Sequence, residues 1–153
     1  MHSLKKSLGI SQKNNAVRII DANLNRAKEG LRVCEEITRF VLDSHKFTAQ
    51  LKAIRHRITN LGSKIYPRVK LLNQRKVQED VGRLNYCGEL KRASCKDIFW
   101  ANIQRVKESL RVLEEFSKLA DAGLALGFKQ LRYKVYEIEK ESFKKISSLP
   151  DFR

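Results

Sequence analysis

The sequence predicts an all-α protein in which a duplicated helical hairpin forms a four-helix bundle with pseudo-two-fold symmetry and one long crossover. Two observations lead to this fold class. Apolar residues recur at helical spacing through most of the chain, and no segment shows the alternation typical of a strand. A fifteen-residue motif near the start also recurs in the second half. With 153 residues, 42% of them hydrophobic, the chain is expected to fold as one domain over residues 15–147.

The internal repeat defines the two halves. Residues 22–36 align without gaps to residues 101–115, 79 positions later, and ten of the fifteen residues are identical. Chance would give about one identity at ordinary residue frequencies. A weaker match follows each motif, since Lys52-Ala-Ile-Arg55 matches Lys129-Gln-Leu-Arg132 at a spacing of 77. Because the spacing changes between the two matches, a turn between two helices is predicted there in each half.

Repeat A, residues 16–62, is predicted to be one helical hairpin preceded by a flexible basic tail over residues 1–14. The tail is polar and lacks the apolar run of a secretory signal. In the first helix, apolar residues follow a three–four spacing from Ile20 onward. The second helix shows the same spacing from Phe47, and Gly62 is expected to end it.

Residues 63–94 form the predicted connecting segment, and residues 95–147 form repeat B. The segment contains one proline and two glycines and is expected to hold at most a short helix. Ser94 or Asp97 is predicted to cap the second motif helix. A glycine is expected to break the chain before the last helix, either Gly123 or Gly127.

The basic charge is unevenly distributed along the chain. The net charge of +15 is typical of a protein with a polyanionic partner. The motif helices, within residues 15–43 and 95–121, each carry five basic and five acidic residues. Residues 44–94 carry twelve basic residues and three acidic ones. Most of the excess charge is therefore predicted to lie outside the motif helices.

Cysteine usage and hydropathy predict a cytoplasmic protein without membrane contact. The three cysteines, Cys34, Cys87 and Cys95, are an odd number without a CxxC pair, which argues against a disulfide framework or a zinc site. No apolar run is long enough to span a membrane. Cys34 falls on the apolar helix stripe and is expected in the core. Walker A, dinucleotide-binding, zincin and GxSxG motifs are absent.

Three polar residues of each motif lie where the helical wheel is otherwise apolar. Asn23 and Arg26 fall inside the apolar arc, and Glu29 lies at its edge. The second copy repeats these positions with Asn102, Arg105 and Glu108. Because buried polar groups are costly unless paired, two interpretations remain open. One is a structural network across the pseudo-dyad, and the other is a pocket between the halves for phosphate and magnesium.

Other charged residues have weaker patterns. The opposite face of the first motif helix, with Lys28, Arg32, Glu35 and Arg39, is predicted to point toward water or a partner. Arg32/Glu36 and Arg111/Glu115 have the i,i+4 spacing of helix-supporting ion pairs. In the connecting segment, Arg75 and Asp80 precede a flexible glycine, Gly82. Lys91 and Arg92 precede the second motif helix, whose N-terminus is a candidate phosphate site.

The chain resembles a small helical family of hydroxymethylpyrimidine phosphate kinases, whose members occur alone or fused ahead of thiamine-phosphate synthase. The resemblance covers roughly residues 16–140. It is carried by the AN-x2-R-x-KE-x-LRV-x-EE helix, by Asp80-Val-Gly82, by Glu89 and Arg92, and by Lys129-Gln-Leu-Arg-Tyr-x2-Tyr136. The resemblance implies ATP-dependent phosphorylation of the pyrimidine monophosphate to the diphosphate, with Mg²⁺, in thiamine biosynthesis.

For that reaction we assign hypothetical roles to twelve residues. Contacts to phosphate groups are assigned to Arg26, Arg105, Arg75 and Arg132. Ligation of Mg²⁺ is assigned to Glu29, Glu108 and Asp80, directly or through water. Orientation of phosphate or pyrimidine is assigned to Asn23 and Asn102. Further substrate or nucleotide contacts are assigned to Arg92, Lys129 and Tyr133, of which Tyr133 would stack on a ring.

Three alternatives belong to other functional classes. The chain could be a non-catalytic partner or regulatory domain of thiamine-phosphate synthase. Its charge would also suit a helical nucleic-acid binder, although such proteins concentrate charge on one stripe. A helical mutase acting on a small dianion would likewise use Arg and Glu between helices. The exposed Arg/Glu faces would permit a homodimer.

Overall fold

The computed structural model describes residues 2–84 and 90–151, with side chains from Gly9 onward. Within these residues it contains five helices and no strand, which confirms the all-α prediction. The helices are α1 (His2–Phe40), α2 (His45–Ile65), α3 (Arg68–Asn73), α4 (Cys95–Ser117) and α5 (Ala122–Ser147). None of the described helices is apolar over a length that could cross a membrane.

The four long helices form the predicted bundle of two hairpins. α1 and α4, which carry the two motifs, pack against each other along the centre, while α2 packs on α1 and α5 packs on α4. The core between them includes the fully buried side chains of Leu31, Phe99, Leu110 and Phe128. The short α3 and the residues after it form the crossover, and α3 packs on α1. This arrangement places the crossover beside repeat A.

Side-chain caps start the later helices. The Ser94 hydroxyl accepts from the amide of Asp97 at 3.2 Å, and the Asp97 carboxylate accepts from the amide of Ala93 at 3.1 Å. Both predicted caps of α4 therefore act, as a reciprocal pair. Ser44 caps α2 through the amide of Phe47. Because the amide of Asp97 is bound to Ser94 and the Asp97 carboxylate lies in the first turn, this N-terminus is less suited to a phosphate than the sequence suggested.

Two glycines predicted to end or break helices lie inside them instead. A Cβ atom on Gly62 of α2 would lie 2.9 Å from Cδ2 of Leu24, and one on Gly127 of α5 would lie 3.0 Å from Cδ2 of Leu61. These glycines permit close packing between helices, which local sequence patterns do not report. α2 stops instead at Tyr66, whose backbone is extended because a proline follows it, Pro67.

The N-terminal segment also differs from expectation. The segment 1–14 was expected to be a flexible tail, whereas α1 begins at His2 and continues without interruption to Phe40.

Cys34 is fully buried, as predicted, and its Sγ lies 3.6 Å from the carbonyl oxygen of Phe99. Burial raises the pKa of the Cys34 thiol, so the group is a core residue and not a nucleophile. Cys87 and Glu89 lie outside the described residues.

Candidate functional site

A polar cleft of about 580 Å³ lies between the first half of α1 and the crossover. Four of the residues singled out in the sequence line it together: Asn23, Arg26, Arg75 and Asp80. Two come from the first motif helix and two from the connecting segment, so distant parts of the chain meet here. This is the largest convergence of the assigned residues in the described part of the molecule, and we refer to it as the polar cleft.

An ion pair between Arg75 and Asp21 holds the crossover against α1. Nε of Arg75 donates to Oδ2 of Asp21, and Nη2 donates to Oδ1 at 2.9 Å. The Asp21 carboxylate is buried and also accepts from Nδ2 of Asn25 at 3.4 Å. The hydrogen bond to Asp21 raises the pKa of Arg75. Such a side-on pair fixes the guanidinium plane as well as its position.

Sequence reasoning missed Asp21, although the repeat contains a signal for it. Asp21 lies immediately before the aligned motif, and the residue 79 positions later is Trp100. A charged residue in one copy therefore replaces a large apolar residue in the other. That divergence marks a position where the two halves differ in environment.

The polar cleft carries cations that are available to an anion. Arg18, Arg26 and Lys76 line it together with Arg75. Within the described residues, neither Arg18 nor Arg26 has a carboxylate oxygen within 4.0 Å, and Lys76 reaches only Glu79, at 3.9 Å. Clustered unpaired arginines are typical of phosphate recognition. The cleft can therefore hold a highly charged anion.

The two motif asparagines use half of their amide groups inside their own helices. Nδ2 of Asn23 donates to the Ile19 carbonyl at 2.9 Å, and Nδ2 of Asn102 donates to the Ile98 carbonyl at 2.8 Å. Asn23 is buried and lines the polar cleft. Its Oδ1 points to no donor in the described part of the chain, which leaves an acceptor for a ligand. The repeat thus conserves a helix-internal role, and only the first copy faces the cleft.

The remaining motif residues do not form a pocket between the halves. Arg26 and Arg105, predicted to lie inside the apolar arc, are exposed, and so are Glu29 and Glu108, predicted at its edge. Glu108 accepts a hydrogen bond from Gln104 of its own helix. A structural network of these side chains across the pseudo-dyad is likewise not present among the described residues. The wide apolar arc of α1 was misleading because residues at its edges are exposed to solvent or lie beside the crossover.

Each hairpin instead buries one glutamate between its two helices, Glu35 in the first and Glu114 in the second. Glu35 was predicted to face outward, but it is buried and accepts from Nε of Arg55 in α2 at 2.9 Å. In the second half, Glu114 accepts from Nη2 of Arg132 in α5, also at 2.9 Å. The predicted i,i+4 pairs Arg32/Glu36 and Arg111/Glu115 are present beside them.

These repeated ion pairs explain the second sequence match. Arg55 and Arg132 are aligned in the repeat, and each ties its hairpin together through the equivalent glutamate. Hydrogen bonds to the Tyr136 hydroxyl and to Glu114 raise the pKa of Arg132. Arg132 was assigned to a phosphate, but it does not line the polar cleft, and its guanidinium is engaged by the buried carboxylate of Glu114. The structure therefore gives it a role in stability.

Replacing Arg132 with methionine is expected to lower the free energy of unfolding by about 2–3 kcal/mol, because Glu114 loses its buried partner. Arg111 still contacts Glu114 at 3.1 Å, which limits the loss. Arg55→Met should cost less, since the Arg55 side chain is more exposed, 23% against 13%. Urea denaturation of both variants measures the effect. An unchanged midpoint for Arg132→Met would show that the pair contributes nothing.

Four other assigned residues lie away from the polar cleft. Lys129 and Tyr133 line a shallow depression of about 400 Å³ between α5 and Arg57 of α2. Arg92 is exposed, and its Nη1 donates to the Lys91 carbonyl. Arg105 lies on α4 and does not line the polar cleft. The assigned residues that the structure brings together thus belong to repeat A and the connecting segment.

The carboxylates assigned to Mg²⁺ do not form a joint ligand set. Within the described residues, no three His, Cys, Asp or Glu side chains are grouped as metal ligands. Of the three assigned residues, only Asp80 lines the polar cleft. Its Oδ1 accepts from the amide of Gly82 at 2.9 Å. The glycine turn thereby orients one carboxylate at the cleft.

Comparison with known proteins identifies the family. The chain matches the model of the ThiD2 family over residues 18–141. Relatives named thiamine-phosphate synthase include those of Synechocystis sp., 41% identical over 80% of this chain and 34% of the relative, and of Rhodopirellula baltica, 34% identical over 91% and 37%. The chain spans about a third of the length of the curated relatives it matches. No solved structure matches it. Because the family match covers most of its length, the chain belongs to the ThiD2 family.

Proposed function

We propose that this protein transfers the γ-phosphoryl group of ATP to 4-amino-5-hydroxymethyl-2-methylpyrimidine phosphate, making the diphosphate used in thiamine biosynthesis. The observation that carries the proposal is the polar cleft, where Arg18, Arg26 and Arg75 converge beside Asp80. The names of the relatives support the pathway, and the motif resemblance supports the reaction.

For this reaction the protein needs mainly to position the two substrates and to neutralise their phosphate charge. An oxygen of the acceptor phosphate attacks the γ-phosphorus, and the bond to the β–γ bridging oxygen breaks, releasing ADP. The acceptor oxygen is already ionised near pH 7, so a general base is not needed. Catalysis then consists of alignment and neutralisation of the crowded phosphate oxygens. Arg18 and Arg26 supply charge, and the Asp21 ion pair holds Arg75 in a fixed orientation.

Asp80 is the residue that would hold Mg²⁺. Magnesium in kinase sites is usually bound by one or two carboxylates together with substrate phosphates and water, so a single carboxylate at the cleft fits that chemistry. When bound, the ion would neutralise phosphate charge. The Gly82 amide occupies one oxygen of Asp80 and leaves the other free to accept a metal or its water.

We expect the purified chain to release ADP from ATP and Mg²⁺ when the pyrimidine monophosphate is added, and not when the unphosphorylated alcohol is added. The alcohol control separates a monophosphate kinase from an alcohol kinase, because a phosphate acceptor is already ionised whereas a hydroxyl acceptor must first lose its proton. A coupled ADP assay measures both. If the protein is folded by circular dichroism and forms no ADP with either substrate, the proposal is refuted.

A non-catalytic partner domain is the second candidate. The relatives named thiamine-phosphate synthase are about three times as long as the matched region, so this domain is joined to other sequence in them. A folded chain that produces no ADP but binds a thiamine-phosphate synthase would favour this candidate.

A further inference from the structure

Four aligned positions surround the outer side of each motif helix, and the two halves carry different residues at three of them. Asp21 of repeat A corresponds to Trp100, Lys28 to Lys107, Gly62 to Glu139 and Tyr66 to Phe143. The first two pairs are 79 residues apart and the last two are 77 residues apart, following the spacing of the repeat. Because the positions are equivalent, each half serves as the control for the other.

In repeat B these positions close the surface. The ring centroids of Trp100 and Phe143 lie 5.6 Å apart, so α4 and α5 are joined by an aromatic contact. Nζ of Lys107 lies 2.8 Å from both carboxylate oxygens of Glu139. The Lys107 side chain is largely buried, at 14% exposure. Apolar rings and a satisfied ion pair leave no unpaired charge at this place.

In repeat A the same positions leave an open cleft of about 560 Å³ between α1, α2 and α3, which we call the ring cleft. Gly62 supplies no carboxylate, and Lys28 has none within 4.0 Å among the described residues. Asp21 is turned toward Arg75 instead of filling the space. The single wall shared with the polar cleft is this Asp21–Arg75 pair.

The lining of the ring cleft combines apolar and aromatic groups with a surplus of positive charge. Leu71, Leu72 and Tyr66 offer apolar surface. Lys28 and Arg68 face the cleft, and neither has an ion-pair partner among the described residues, while Arg75 and Asp21 neutralise each other. Two unpaired cations match the charge of a phosphate monoester, about −2 near pH 7.

We propose that the ring cleft binds an aromatic phosphate monoester and that only repeat A has such a site. This rests on the proposed function, under which the monoester is the pyrimidine phosphate acceptor and ATP occupies the polar cleft. Tyr66 and the leucine side chains contact the ring, and Lys28 and Arg68 neutralise the phosphate. Arg75, on the shared wall, lies between the acceptor and donor phosphates. The duplication therefore yields one substrate site per chain, with repeat B as its structural counterpart.

The test compares Lys28→Gln with Lys107→Gln in the full chain, titrating each calorimetrically with the pyrimidine monophosphate in the absence of ATP. The wild type should bind one equivalent. Lys28→Gln should weaken binding about 10-fold or more, because a hydrogen bond to a charged group is lost, with an unchanged unfolding midpoint. Lys107→Gln breaks the ion pair to Glu139, so it should lower the unfolding midpoint and leave affinity unchanged.

Three results would overturn the ring cleft: no binding by the wild type, two equivalents per chain, or equal weakening by both substitutions. Failure of the kinase proposal gives a different pattern. In that case ADP is not formed, yet the pyrimidine phosphate still binds and Lys28→Gln still weakens it. Conversely, turnover with an unchanged KM for the pyrimidine phosphate in Lys28→Gln would retain the kinase and reject the ring cleft.

Discussion

Replacing Arg26 with alanine is expected to lower kcat/KM for ADP formation by about 100-fold, a typical loss for one donor to a transferring group. Arg105→Ala, the identical change at the aligned position, is expected to leave turnover nearly unchanged. Arg26 lines the polar cleft beside Arg75 and Asp80, whereas Arg105 lies on α4 and does not line that cleft. The sequence alone assigned phosphate contacts to both arginines.

The pair of variants controls for folding. Both arginines are exposed, and neither makes an ion pair within the described residues, so both variants should unfold at the wild-type temperature. Equal losses of turnover in the two variants would indicate that the active site lies at the interface between the halves and not in the polar cleft. Full activity in both would remove the motif arginines from the mechanism.

Arg75→Met is expected to lower turnover by about 1,000-fold, on the scale of a catalytic arginine that contacts a transferring phosphoryl group. It should also destabilise the protein, by about 2–3 kcal/mol, because the buried Asp21 carboxylate loses its partner. The Arg75 side chain is 39% exposed, so water partly compensates and the lower figure is favoured. Activity assays and urea denaturation measure the two effects separately.

The double variant Asp21→Asn/Arg75→Met separates function from stability. An amide at position 21 needs no cationic partner, so most of the lost stability should return. Activity should not return, because the guanidinium between the two clefts is still missing. Recovery of turnover together with stability would show that Arg75 only fastens the crossover to α1.

The fold was predictable because its main determinants are local and repeated. The three–four spacing and the fifteen-residue repeat indicated two hairpins. Apart from the N-terminal segment, which is helical from His2, the errors in helix boundaries came from glycines. Gly62 and Gly127 looked like helix ends, but each lies opposite a leucine of another helix. A contact of this kind depends on tertiary packing, so composition and spacing do not report it.

The site was predictable only in part, because the repeat suggested a symmetry that the site does not have. Asn23, Arg26, Arg75 and Asp80 were named and do meet, but the first two were paired with their copies across the pseudo-dyad. The described part of the crossover breaks the symmetry by packing on α1, through an ion pair between residues 54 positions apart. A helical wheel cannot show which face such a segment covers. Comparison of Asp21 with Trp100 would have indicated the difference.

The most direct test of the kinase account is transfer of labelled phosphate. The purified chain is incubated with ATP labelled at the γ-phosphate, Mg²⁺ and the pyrimidine monophosphate, and the products are separated. The account predicts label in the pyrimidine diphosphate, formed by the wild type and by Arg105→Ala but strongly reduced in Arg26→Ala. Label that remains in ATP or appears only as inorganic phosphate, with folded protein, would contradict it.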